Sequence, residues 1–114
     1  AYDMYLIFNE ALKYDTVNEI ISMTSYDTVY TDKNGNEKTL SVKNTNQYLA
    51  GNVAAPDRVT VIGGKTGTTS AAGNCLILLA RDTSGNPYIA VILKSAERGI
   101  LYTEMNALLK QATS

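Results

Sequence analysis

Six consecutive residues, Cys75-Leu76-Ile77-Leu78-Leu79-Ala80, are apolar without interruption. Successive side chains on a strand point to opposite faces, so a strand of this composition has to be covered on both sides. A second apolar stretch, Tyr88 to Leu93, follows Asp82-Thr83-Ser84-Gly85-Asn86-Pro87, a cluster of reverse-turn residue types. Cover is available at both ends of the chain. Met4, Phe8, Ala11 and Leu12 recur at helical spacing near the start, and Leu101, Met105, Leu108 and Leu109 do so near the end.

The middle of the chain carries its own signals. Thr16-Val17-Asn18-Glu19 is a capping-box pattern and predicts a short helix from Thr16 to about Met23, with the Thr16 hydroxyl capping its amides. Tyr26–Thr31 and Lys38–Val42 are rich in Tyr, Thr and Val, and they flank Asp32-Lys33-Asn34-Gly35-Asn36, whose Asn-Gly pair predicts a hairpin. Asn44-Thr45-Asn46 with Gly51-Asn52 reads as a loop or broken helix, and Arg58 to Ile62 as a strand. The order is helix, helix, hairpin, loop, three antiparallel strands, helix. That order predicts an α+β fold with helices packed on an antiparallel sheet. There is no internal repeat, and residues 1–114 read as one domain.

Composition removes several classes of function. The ten Lys and Arg residues are scattered and the net charge is -1, which argues against nucleic acid or an anionic membrane surface as partner. One cysteine and no histidine leave no intrachain disulfide, no Cys/His zinc site and no Ser-His or Cys-His nucleophile pair. No cofactor is expected. No apolar run approaches the about 18 residues of a membrane span. The first helical pattern begins at Ala1 with no capping residue before it, which predicts that the chain is a piece of a longer polypeptide; a natural short chain is the alternative.

The chemistry concentrates in Val61-Ile62-Gly63-Gly64-Lys65-Thr66-Gly67-Thr68-Thr69-Ser70-Ala71-Ala72-Gly73. A lysine on a strand margin can hold a substrate carboxylate, and a neighbouring threonine hydroxyl adds a directional hydrogen bond to it. A glycine next to them lets a substrate backbone lie against the strand, where a Cβ would obstruct it. The amide after that glycine can donate to a developing oxyanion. Lys65-Thr66-Gly67 is also the K-T-G element found beside S-x-x-K and S-D-N in β-lactamases and penicillin-binding proteins. Three common residues are weak by themselves, and a solvated lysine on a hairpin strand is the plainer reading.

The wider pattern is more specific. Asn44-Thr45-Asn46, Gly64-Lys65-Thr66-Gly67-Thr68-Thr69 and Ala72-Gly73-Asn74-Cys75 resemble the serine-type D-alanyl-D-alanine carboxypeptidases, the low-molecular-mass penicillin-binding proteins. Ala1-Tyr2-Asp3-Met4, the two apolar strands and the last helix continue the resemblance over nearly the whole chain. It implies the β-lactamase/penicillin-binding-protein fold and acyl transfer. A serine attacks the carbonyl between two D-alanines of a peptidoglycan stem peptide, the last residue leaves, and water clears the acyl-enzyme; β-lactams acylate the same serine. Carried over, Lys65 and Thr66 bind the terminal carboxylate, Gly67 permits close approach, and the Thr68 amide completes the oxyanion hole. Arg98 is a further candidate for carboxylate binding, set against a plain surface arginine, because the family's basic residue in this region does not align cleanly with it. The resemblance places the parent protein outside the cytoplasmic membrane, with membrane association of the full chain left open.

Two of the family's three motifs are missing. None of Ser22, Ser25, Ser41, Ser70, Ser84 and Ser95 is followed three residues later by lysine, so no serine has an activating amine. Ser84-Gly85-Asn86 has the S-x-N form but lies after K-T-G within a turn cluster, and reads as a hairpin turn. The chain is therefore expected to be the K-T-G-bearing part of such an enzyme, inactive alone and prone to self-association. A serine β-lactamase fragment and a non-catalytic binding or assembly module are the alternatives. Asn44 and Asn46 read as loop-capping amides, Cys75 as a small core residue, Ser70 as a turn hydroxyl, and the eight tyrosines as packing residues rather than a carbohydrate-binding face.

Overall fold

A computed structural model describes all 114 residues. The elements run α1 (Tyr2–Ala11), α2 (Asp15–Ile21), β1 (Ser25–Thr31), β2 (Glu37–Lys43), β3 (Thr60–Thr69), β4 (Gly73–Arg81), β5 (Pro87–Ser95) and α3 (Arg98–Thr113). The α+β class and the predicted element order hold. The strands form two antiparallel sheets, a β1–β2 ribbon and a three-stranded sheet in the order β3-β4-β5.

β4 is covered on both faces, as its composition demands. Leu76, Leu78 and Ala80 join Ala90, Leu101, Tyr102, Met105 and Leu109 in a core under α3. Ile77 and Leu79 point the other way and pack with Phe8 of α1, bordered by Ile21 of α2. The result is three layers, with α3 on one side of the sheet and α1 with α2 on the other. The glycines beside Lys65 serve this packing. A Cβ at Gly63 would sit 2.5 Å from the Ile21 carbonyl oxygen, and one at Gly64 would sit 2.1 Å from that of Ile77.

Three local expectations need correction. Helix α2 begins at Asp15 with Tyr14 as N-cap and no side-chain cap, so Thr16 lies inside the first turn, where its hydroxyl cannot reach back to cap. The junction is held instead by the Asn18 amide, which donates to the carbonyls of Leu12 (2.7 Å) and Tyr14 (3.0 Å). Arg58 is not in a strand; it sits at φ 68, and β3 runs from Thr60 through the glycines to Thr69. Cys75 is only half-buried, because its strand already begins at Gly73, near the open end of the sheet. Two bulges interrupt the registers: one extra residue between Val61 and Gly63 on β3, and one on β5 near Lys94, which adopts φ 60.

Candidate functional site

Strand β3 is an edge of its sheet, and the K-T-G residues lie in its outer half. Lys65 pairs with Ile77 and faces α1; Thr66 pairs with Leu76 and Thr68 with Asn74, facing α3. The margin of β3 thus separates two openings. On the α3 side, a groove of about 230 Å³ is lined by Thr45, Gln47, Thr66, Thr68, Arg98 and Tyr102 among others. On the α1 side, a mostly apolar cleft of about 290 Å³ runs from Met4, Ile7 and Phe8 to Lys65, Ile77 and Val91. Thr66, Gly67 and Cys75 border both.

The structure brings Thr66, Gly67, Thr68 and Arg98 to the same groove. Lys65 leaves the opposite face of the strand, and its ammonium donates to the carbonyl oxygen of Thr66, which folds it back along the margin. Gly67 differs from Gly63 and Gly64: a Cβ there would meet nothing within 4 Å. Free space beside the strand at this residue is what a ligand backbone requires. Arg98 is the first residue of α3. The Thr68 hydroxyl lies 3.4 Å from Asn74 Oδ1, and the Asn74 amide donates to the carbonyls of Ser95 and Ala96, tying this end of the groove to the start of α3.

The far wall of the groove comes from the loop after β2 and from α3. Asn44 and Asn46 act as the expected loop-holding amides: Asn44 Oδ1 accepts from the Asn46 amide, and Asn46 Oδ1 accepts from the Tyr48 amide. The Gln47 amide donates to the Tyr102 hydroxyl, and the Tyr48 hydroxyl donates to Asn106 Oδ1, which clamps the loop to α3. Tyr48 and Tyr102 meet edge to face with centroids 5.3 Å apart. Burial, and secondarily the neighbouring Tyr102 phenol, push the Tyr48 phenol up from 10.0 to about 12. One polar atom is left over: Asn46 Nδ2 is buried without a partner, on a residue 1% exposed. Between the two asparagines, the Thr45 hydroxyl reaches 2.5 Å from that of Thr66. The sequence signal for this contact is faint, since the two threonines are 21 residues apart. Ser84-Gly85-Asn86 is a hairpin turn well away from the groove, with the Ser84 and Asn86 amides donating to Asp82 Oδ1.

Comparison with known proteins gives the family and the fold. The family model described as D-alanyl-D-alanine carboxypeptidase matches residues 1–97. Among solved structures, the chain is similar to an arginine-to-leucine mutant of the Streptomyces K15 DD-transpeptidase, with a TM-score of 0.71 and 25% identity over 87% of the chain. The chain spans 36% of that structure's length. No curated protein matches the chain.

Proposed function

Because the chain belongs to the D-alanyl-D-alanine carboxypeptidase family, we propose that it forms the substrate-carboxylate side of a serine-type acyl-transfer site acting on peptides that end in D-Ala-D-Ala. The observation that carries this reading is the margin of β3, where Thr66 and an unobstructed Gly67 border the groove and Lys65 borders the cleft on the other face of the same strand. Lys65 and Thr66 leave opposite faces of the strand, so a carboxylate held by both lies against the strand edge, reached by the flexible lysine stem from one side and the hydroxyl from the other. Arg98 adds a second cation on the hydroxyl side. The peptide backbone then runs past Gly67, and the Thr68 amide donates to the carbonyl oxygen as it gains charge.

The attacking serine comes from polypeptide outside these residues. Its oxygen bonds to the carbonyl carbon between the two D-alanines, the C–N bond breaks, and the terminal D-alanine leaves with a proton. Water then hydrolyses the ester. A β-lactam, whose carboxylate mimics the peptide terminus, acylates the same serine and stays. The parent protein works at the outer face of the cytoplasmic membrane, where peptidoglycan lies.

The surface of α1 supports a missing partner for this chain. Phe8 is the only buried residue of that helix, whereas Tyr2 and Ile7 are 69% and 62% exposed. Polypeptide bringing the serine would cover such a face, and the isolated chain would self-associate through it. Labelling with a fluorescent penicillin tests the assignment. A parent polypeptide with an upstream S-x-x-K motif becomes covalently labelled and the 114-residue chain does not; stable acylation of the 114-residue chain would overturn the proposal.

A further inference from the structure

We infer that Thr45 is a positioning residue for ligand binding at this site, acting through the hydroxyl of Thr66; the inference rests on the carboxylate-binding reading of the groove. Thr45 is not part of the K-T-G element, yet its Oγ1 lies 2.5 Å from Thr66 Oγ1 and has no other partner. The loop around it is pinned from every side. Asn44 Nδ2 donates to the Met23 carbonyl at 2.7 Å, the Asn46 amide donates to Asn44 Oδ1 at 2.8 Å, and Gln47 Nε2 donates to the Thr45 carbonyl at 3.1 Å. The Gln47 backbone amide is in turn held by the Tyr102 hydroxyl of α3. A residue fixed by so many bonds to its neighbours presents its one free side-chain group at a set point on the groove wall.

The chemistry of two facing hydroxyls gives that placement a consequence. Each carries one proton and two lone pairs, and only one proton can lie between them. If Thr66 donates to Thr45, Thr66 shows lone pairs to the groove and repels an anion. If Thr45 donates to Thr66, the Thr66 proton is released to point into the groove, and its oxygen is already satisfied and polarised as a better donor. A carboxylate selects the second arrangement. Thr45 therefore fixes the direction in which Thr66 donates, without touching the ligand itself. A valine at position 45 keeps the shape and removes the donor, whereas serine keeps the donor.

The test uses the parent enzyme, with a peptide ending in D-Ala-D-Ala, comparing Thr45→Val, Thr45→Ser, Thr66→Val and the double variant. Loss of one hydrogen bond of ordinary strength raises KM by about fivefold in Thr45→Val, with kcat retained because the carboxylate keeps its charge through the reaction and is held alike in the ground and transition states. Thr45→Ser restores the wild-type KM. The double variant is no weaker than Thr66→Val alone, because Thr45 has nothing left to act through. An unchanged KM in Thr45→Val, or losses that simply add in the double variant, would overturn the inference while leaving the assigned reaction standing. A wild-type enzyme that does not turn over the peptide overturns the reading of the groove and this inference with it.

Discussion

Asp32-Lys33-Asn34-Gly35-Asn36 and Asp82-Thr83-Ser84-Gly85-Asn86 reverse their strands in the same way. In each, the aspartate Oδ1 accepts from the amides two and four residues on, at 2.8 and 2.9 Å in the first turn and 2.9 Å twice in the second. In each, the aspartate amide donates to the asparagine carbonyl and the glycine amide to the aspartate carbonyl, with the glycine at φ 81 or 82. The strands they join have opposite fates. β4 is the buried middle strand of its sheet with β5 along its edge, while β1 and β2 are exposed along almost their whole length. Turn chemistry decides that a hairpin forms, and strand composition decides whether it is buried. In the ribbon, the pairs Tyr26–Val42 and Thr28–Leu40 give one face apolar character, but the other carries Asp27–Ser41 and Thr31–Glu37. β4 has no such polar face.

The contrast is broken most forcefully in the strands. Leu78 is 0% exposed and Leu40 is 45% exposed. Leu78→Ala should cost about 2–5 kcal/mol through lost burial and a residual cavity, whereas Leu40→Ala should remain within about 0.5 kcal/mol. Urea unfolding of both variants measures the difference; equal losses would mean that the ribbon is covered as well as β4. The turns give a smaller and more local effect. Gly35→Ala and Gly85→Ala each place a Cβ at positive φ, costing about 1–2 kcal/mol. The Gly85 variant should lower global stability, while the Gly35 variant should speed amide exchange in β1 and β2 and leave β4 protected. Hydrogen exchange that rises in β4 for both would join the ribbon to the core.

The smallest effect is a pH dependence at Asp82. Asp82 Oδ2 also accepts from the Asn86 side chain at 2.9 Å and from the Tyr88 hydroxyl at 3.2 Å. These bonds, led by that from Asn86, hold the Asp82 carboxyl below its ordinary value of 3.8, and the carboxylate raises the Tyr88 phenol in return. A depressed folded-state pKa contributes stability that is present above the unfolded value and fades as pH falls through the folded one. Asp82→Asn should therefore flatten the acid limb of the melting temperature between about pH 4 and the lowered folded value. An acid limb unchanged by this substitution would place the pH sensitivity elsewhere.

Much of this architecture was legible in short-range patterns. Continuous apolarity of β4 announced double cover, the Asn34-Gly35 pair announced one hairpin and the Asp82–Pro87 turn cluster the other, and Lys65-Thr66-Gly67 announced a strand margin. What escaped was decided by contacts remote in sequence. The start of α2 depends on Asn18 reaching back to Leu12, which overrides the capping pattern at Thr16. Gly63 and Gly64 are required by carbonyls on α2 and β4, so they belong to packing rather than to the ligand. Thr45 meets Thr66 only because the loop is folded onto α3. Alternation along a strand separates Lys65 from Thr66, but nothing local states which opening each one faces.

That choice traces to one surplus residue. Val59 and Val61 pack on the α3 side, yet after Ile62 it is the even-numbered Thr66 that faces α3, because Ile62 and Gly63 both turn towards α2. The irregularity near Ile62 resets the odd–even parity of everything downstream. Deleting Ile62 would excise the bulge and leave plain alternation, with Val61 still opposite Ala80 and the cation and hydroxyl still on their present faces, so the tripeptide's orientation rests on how many residues precede it as well as on what they are.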